Sequence, residues 1–529
     1  MLFTSYNFIL FLVVLFIIYY LIPKKYQWML LLLGSFVFYS YSGWDNVAYI
    51  TVTILATYFV SLKIGQLYEQ QDSYIKENKG SLAREDRKKY KAKINAKQKK
   101  YLLLCLLFDL GILAVLKYTN FVISNINSIG NLFKATEISF LDIALPMGIS
   151  FYTFQSVGYL VDVYRGKYAP EKNLGKFALF VSFFPQLVQG PISRFDDLGE
   201  QLYAGHSFDY KNVSFGIQRI LWGFFKKLVI ADRILVGVNT ITQNPETYQG
   251  IYVFLGMIFY AVQLYADFTG GIDITIGIAQ VFGIELKENF QRPFFSKSIV
   301  EYWRRWHITM GTWFRDYVFY PVSISSPMLK LSKFSRKHLG EKLGKKVPVY
   351  LSTIIVWSAT GIWHGASWNF IVWGLLNCLV IIVSQEFEPL YAKFHSKFNV
   401  RHNFFFRLLQ VARTFLLMCS IRILDCYRNV GISFKMYFSM FTNWNFGEIF
   451  NGGLLGLGLK KSDYIVLIFG IIIMTVFSLI QRKGSVREQL TEKSDVLQYA
   501  VGIALFVSII TFGAYGIGYD SNQFIYNQF

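Results

Sequence analysis

Apolar stretches recur from one end of this 529-residue chain to the other, and many reach the roughly 20 residues that a membrane-spanning helix requires. That recurrence constrains the fold more than any other feature. Inside a bilayer each backbone group must be satisfied within the protein, so the sequence is read as an all-α, polytopic membrane protein with roughly 11–13 transmembrane helices. A soluble chain of this length would carry more than the 16% charged residues found here and fewer than 53% hydrophobic ones. The first apolar run, Tyr6 to Ile22, lacks a basic leader and ends at Pro23-Lys24-Lys25 without a small-residue cleavage site. It is expected to remain as the first span.

The net charge of +20 is concentrated rather than spread. The densest block, residues 63–100, contains "REDRKKYKAKINAKQKK" and is read as a basic cytoplasmic loop under the positive-inside rule. No nucleic-acid partner is expected; attraction of such loops to anionic membrane lipid is a secondary reading. Lys24 and Lys25 mark a cytoplasmic turn after the first span. "KLSKFSRKHLGEKLGKK" at 330–346 marks a second basic cytoplasmic loop, and the four-to-three basic excess of "QRKGSVREQLTEKSD" marks a third. Both termini are thereby expected outside. The whole chain, 1–529, is read as one membrane-embedded domain, with further apolar segments at Tyr101–Leu116, Ile138–Val163, Leu174–Ile192, Phe215–Ile230, Ile251–Phe282 and Val349–Val383. A C-terminal group over 400–529 is expected to end in an aromatic tail, "QFIYNQF". Cys105, Cys378, Cys419 and Cys426 lie in or beside apolar runs without disulfide or metal spacing, and read as packing residues.

Several segments are short, broken by Gly or Pro, or strongly polar, and such pieces survive at membrane depth only when buried in protein or lining a cavity. Two of them concentrate the unusual chemistry. "ENFQRPFFSKSIVEYWRRWHITMGTWFRDYVFYP" holds Arg304, Arg305, Trp306, His307, Arg315 and Asp316; an interfacial aromatic belt and snorkelling arginines account for much of it, but not for His307. "TGIWHGASWN" places His364 between Trp363 and Gly365, inside apolar sequence, with Asn369 five positions on and, on one continuous helix, near the same side. An imidazole there is either a satisfied structural hydrogen-bonder or a group that handles protons. The glycine beside it permits close approach of a backbone or substrate. Asp267 and Asp273 in "YADFTGGIDITIG" need partners if buried, and read as structural pairs with arginines or as ligands of an ion. The two histidines and two carboxylates lack any zinc-ligand spacing, so no metal is assigned.

"SFFPQLVQGPISRF", "QLYADFTGGIDITIGIA", "ENFQRPF", "YWRRWHITMGTWFRDYVFYP", "GIWHGASWNFIVWG" and "GYDSNQFIYNQF" together resemble the membrane-bound O-acyltransferase (MBOAT) family, in the branch of bacterial alginate O-acetyltransferase membrane subunits. The resemblance covers nearly the whole chain. "FTGGID" stands where members often have "FSGYSD", and the loop after Tyr320 and Pro321 lacks the usual glycine-rich sequence. The resemblance implies an MBOAT core over 140–385 arranged around a central tunnel, in a bacterial cytoplasmic membrane. It implies transfer of an acyl group, by expectation acetyl, from a cytoplasmic thioester such as acetyl-CoA, with no bound cofactor, to an exported polysaccharide. His364 matches the family's near-invariant histidine and His307 its second active-site histidine. Arg304, Arg305, Trp306, Arg315, Trp363 and Asn369 become candidates for substrate and tunnel contacts. The partners implied are an extracellular SGNH-type acyltransferase and a polysaccharide or its synthase complex, with Tyr526 of the aromatic tail as an acyl relay. D-alanyl transfer to teichoic acid is the alternative within the family. A proton-coupled transporter or flippase is the alternative outside it, and predicts internal symmetry that the sequence does not display; a scaffold for polysaccharide export is a third.

Overall fold

The computed structural model describes residues 3–515; Tyr526 and the tail that carries it lie outside the described residues. The described chain is helical throughout, with one isolated bridge between Phe290 and Trp306 and no strand. Seven described helices are long and apolar enough to cross a membrane: Trp44–Glu77, Arg84–Leu132, Ile251–Val281, Trp368–Glu386, Phe404–Tyr427, Lys461–Lys483 and Asp495–Phe512. Shorter helices such as Tyr6–Leu21, Lys24–Ser40 and Ile149–Tyr164 accompany them.

The chain divides into two compact units: Met1–Val213 with Ala279–Leu286, and Ser214–Ile278 with Lys287–Phe529. In the first unit the block at 63–100 is not a loop. The helix Trp44–Glu77 and the 49-residue helix Arg84–Leu132 both continue through it, joined by a short turn. Its lysines are spaced on helical surface, where long cationic side chains stay solvated at no cost to the fold. The segment 330–346 is likewise mostly helix, Ser326–Gly344, bent at Gly340 with φ 76°.

The expected span Ile138–Val163 starts as extended chain, and its helix begins only at Ile149, after Gly148 in the left-handed region. Two asparagines one helical face apart hold the extended piece. The Asn120 side chain exchanges both amide bonds with Leu141 at 2.8 and 2.9 Å, and Asn127 does the same with Ile138. Each side-chain amide supplies the donor and acceptor that a neighbouring strand would have given. The expected span Leu174–Ile192 is split at Phe183, where Pro185 opens a second short helix, Phe184–Gln189.

In the second unit the helix Ile251–Val281 is the organising element: 72% of its apolar window is buried, against 11% for Asp495–Phe512. It packs closely on the helix Tyr210–Phe224 because glycines meet backbone there. A Cβ at Gly223 would stand 2.6 Å from the Gly270 carbonyl oxygen, and one at Gly277 2.7 Å from that of Gly216. Small residues at such spacing are how helices approach without a hydrophobic drive between them. Just past Gly223 the chain widens into a π-turn, Phe225–Ala231, that carries Lys227.

Both acidic residues of the Asp267/Asp273 pair are ion-paired, with lysine as well as arginine. Lys227 lies 2.7 Å from Asp267 and 2.7 Å from Asp232. Asp273 is shared by Arg219 at 2.9 Å and Lys226 at 2.5 Å.

Candidate active site

The two histidines arrive on different kinds of element. His364 is the last residue of the helix Lys346–His364; Gly365 then turns the chain out in extended conformation, and a new helix begins at Trp368. The apolar segment Val349–Val383 is therefore a tight hairpin of two helices, and His364 and Asn369 do not share one continuous helix. Glycines explain the turn. A Cβ at Gly365 would meet the Phe370 ring at 2.3 Å, one at Gly361 the Phe370 carbonyl at 2.5 Å, and one at Gly374 the Trp357 carbonyl at 2.4 Å. Close approach beside the histidine was legible in the sequence; that it closes a hairpin was not.

The His364 ring sits between two indoles, with centroids 4.9 Å from Trp363 and 4.7 Å from Trp373, and it faces Phe370 at 6.3 Å. It remains half-buried, whereas Trp363 and Trp373 are buried. Asn369, 1% exposed, donates to the Leu424 carbonyl at 3.2 Å from the helix Phe404–Tyr427. Its Oδ1 and the Trp373 indole N–H are both enclosed without a hydrogen-bond partner among the described residues.

His307 is the N-cap of the helix Ile308–Phe314 and holds φ at 49°, unusual for a side-chain-bearing residue. Asn289, 0% exposed, secures it. Asn289 Oδ1 accepts from the Thr309 backbone N–H at 3.0 Å and the Thr309 hydroxyl at 2.9 Å, and its backbone carbonyl accepts from Ile308. With Oδ1 so committed, Asn289 Nδ2 donates to His307 Nδ1 at 3.2 Å. Nδ1 is then an acceptor, and the proton of the neutral ring resides on Nε2. Burial depresses His307 to about 3, so the neutral form persists throughout the physiological range. Asn289 lies in the quoted "ENFQRPF", yet its part was missed: it stands eighteen positions before the histidine, and the Phe290–Trp306 bridge with the backbone bonds around it brings the two together.

One ring, Trp363, lies against both imidazoles, at 5.9 Å from His307 and 4.9 Å from His364. The tryptophans of "YWRRWH" extend this wall. Trp303 donates to Asn377 Oδ1 at 3.2 Å and meets Trp373 at 5.6 Å, while Trp306 stacks on Tyr302 at 5.5 Å. Above Trp306, at 4.4 Å, lies the Arg422 guanidinium, which also donates to the Tyr302 hydroxyl and pairs with Asp425. Arg422 and Asp425 were not singled out in the sequence, since they occur in an apolar run with no motif around them.

The arginine candidates do not converge on the imidazoles. Arg304 is exposed, Arg305 pairs with Glu301 at 2.6 Å, and Arg315 is half-exposed with Asp316 at 2.8 Å. Among the described residues no group of three or more His, Cys, Asp or Glu comes together in a metal-holding arrangement.

The His307 environment makes a thermodynamic prediction. Its folded pKa lies below the unfolded value of about 6.5. The stability this site contributes is therefore complete above pH 6.5 and is lost progressively as pH falls towards 3. Wild-type protein should melt at steadily lower temperature between pH 6.5 and 4, and His307→Gln should show a clearly flatter acid limb in the same scan. Parallel curves would contradict a buried neutral imidazole.

Two imidazoles thus flank one indole, one of them buried and neutral, inside a multi-pass helical protein. Comparison with known proteins gives the family. The model of the membrane-bound O-acyltransferase family matches residues 172–426. The chain is 32% identical over 480 residues to a Pseudomonas aeruginosa protein described as a probable alginate O-acetylase, AlgI, covering 89% of this chain and 81% of that one. It is 30% identical to the peptidoglycan O-acetyltransferase of Helicobacter pylori, over 71% and 67% of the two chains. It is 27% identical to the teichoic acid D-alanyltransferase of Bacillus subtilis, over 52% and 66%. The chain belongs to the membrane-bound O-acyltransferase family and is an acyltransferase.

Proposed function

We propose that this protein moves an acetyl group from a cytoplasmic thioester, such as acetyl-CoA, across a bacterial cytoplasmic membrane for O-acetylation of an exported polysaccharide. The similarity to alginate O-acetylases over most of both chains supports the substrate class. The observation that carries the chemistry is the placement of the two imidazoles at opposite helix ends.

His364 terminates a helix, where the backbone carbonyls favour a positive charge. That suits a base which becomes imidazolium as it takes a proton. His307 caps a helix start, where N–H groups disfavour positive charge, and its Nδ1 is tied to Asn289. That suits a neutral donor. In the proposed step His364 removes the proton of an acceptor hydroxyl as its oxygen attacks the thioester carbonyl. The oxyanion is met by His307 Nε2–H and by an indole N–H, for which Trp373 supplies the enclosed donor. Collapse expels the thiolate, which recovers the proton from His364.

Tyr526 is the proposed first acceptor. A phenol with a pKa near ~10 leaves more readily than a sugar alkoxide, so its ester can pass the acetyl group onward to an extracellular SGNH-type transferase acting on the polymer or its synthase complex. This reading sets both termini outside. The test is incubation of full-length protein in vesicles with labelled acetyl thioester, followed by mass spectrometry of the peptide carrying Tyr526. Wild-type protein should gain one acetyl group there, and Tyr526→Phe none, with polymer acetylation lost in cells. A fully active Tyr526→Phe protein would remove the relay, and transfer of D-alanyl but not acetyl would redirect the substrate class.

A further inference from the structure

Away from the histidines, the second unit contains a cavity of about 540 Å³ that runs from the connection after the helix Lys461–Ile480 into the space beside the helix Asp495–Phe512. Its walls are of two kinds. One is cationic, with six basic and two acidic side chains. Arg219 holds both acids, Asp273 at 2.9 Å and Glu288 at 2.6 Å, Lys226 shares Asp273, and Arg305 is taken by Glu301. Arg292 and Arg482 also line the cavity, and neither makes an ion pair among the described residues. The Arg292 Nε is enclosed without a hydrogen-bond partner there, on a backbone held at φ 53°. Burial, with Arg305 and Arg482 nearby, pushes its guanidinium below the ordinary arginine value. Neighbouring cations beside an enclosed N–H without a partner are a cost that a bound anion relieves.

The other wall is apolar. Trp222 and Phe477 stack at 4.2 Å, and Met474 and Leu505 continue the surface into the two spans. Arg482 stands where the apolar helix Lys461–Ile480 has just ended, which is the headgroup level of a membrane. A soluble phosphate makes no use of the apolar wall, whereas an amphiphile with an anionic head matches both walls in the right order. We propose that this cavity is a binding site for an anionic phospholipid, its phosphate on Arg292 and Arg482 and an acyl chain along Trp222, Phe477 and Leu505.

Phe290 lines the cavity and its ring stands 6.4 Å from His307, so a phosphate-bearing soluble donor is the competing occupant. The experiment separates them. Full-length protein in detergent is melted with added phosphatidylglycerol, phosphatidylcholine, glycerol 3-phosphate or coenzyme A, and retained lipid is counted by native mass spectrometry. Phosphatidylglycerol alone should raise the melting temperature and remain bound. Arg292→Gln with Arg482→Gln should weaken that binding roughly tenfold or more. Arg482→Gln alone, on an exposed connection, should weaken it measurably. Equal phosphatidylglycerol retention in wild type and Arg482→Gln would overturn the site, as would equal protection by phosphatidylcholine. Protection by glycerol 3-phosphate or coenzyme A matching that of phosphatidylglycerol would overturn the lipid as its occupant.

Discussion

His364→Gln should lower acyl transfer by roughly 10²–10⁴-fold, the range over which a positioned general base contributes, while leaving the amount and melting temperature of the protein nearly unchanged. The second half of that expectation is what makes the first informative. His364 is only half-buried at the end of its helix, and the hairpin around it is closed by Gly361, Gly365 and Gly374 rather than by the imidazole. Glutamine keeps a polar side chain of similar reach but cannot accept a proton at neutral pH. Polymer acetylation in cells and label transfer in vesicles both read the loss. Normal acylation by a stably expressed variant would end the assignment of His364 as the base. A variant that fails to accumulate would instead place the imidazole in the scaffold.

Lys227→Met should be the most damaging single change to stability. The Lys227, Asp232 and Asp267 side chains are each about 1% exposed or less, and the ammonium is the cation between two buried carboxylates. Removing one member of such a buried group costs about 3–5 kcal/mol, because the two carboxylates keep their desolvation penalty and lose the attraction of the lysine. Against a total stability of roughly 5–15 kcal/mol, that is enough to deplete the folded protein. Replacing all three charges at once, with Lys227→Met, Asp232→Asn and Asp267→Asn, should recover much of the loss, since no charge is then left stranded. Melting temperature and membrane abundance measure both variants. A Lys227→Met protein that melts with wild type would show that the triad is not a structural pivot.

The motifs made the outline of the site legible, and the reason is local. "WRRWH" and "WHG" put ionisable rings into apolar sequence, where polarity stands out against its surroundings. The residues packed around these rings carried no recognisable motif. Asn289 looks like any polar loop residue, and it matters only because its Oδ1 is consumed by Thr309, which turns its Nδ2 towards His307. Arg422 stands over Trp306 from a helix more than a hundred residues further along the chain. Tertiary packing alone makes that contact.

The division between sequence and structure follows the range of the forces involved. Apolar run length and lysine placement depend on each segment's own contact with lipid and water, so the helical, multi-pass class could be read residue by residue. Whether an apolar run continues or breaks depends on what meets its backbone. Ile138–Leu141 is extended because Asn120 and Asn127 satisfy it, and Val349–Val383 folds back because Phe370 occupies the space a Cβ at Gly365 would need. The same holds for the chemistry. Both histidines could be named from the sequence, but the surroundings of each ring could not. Those depend on which helix end each ring occupies and which atom faces Nδ1, and both are settled only when distant segments pack.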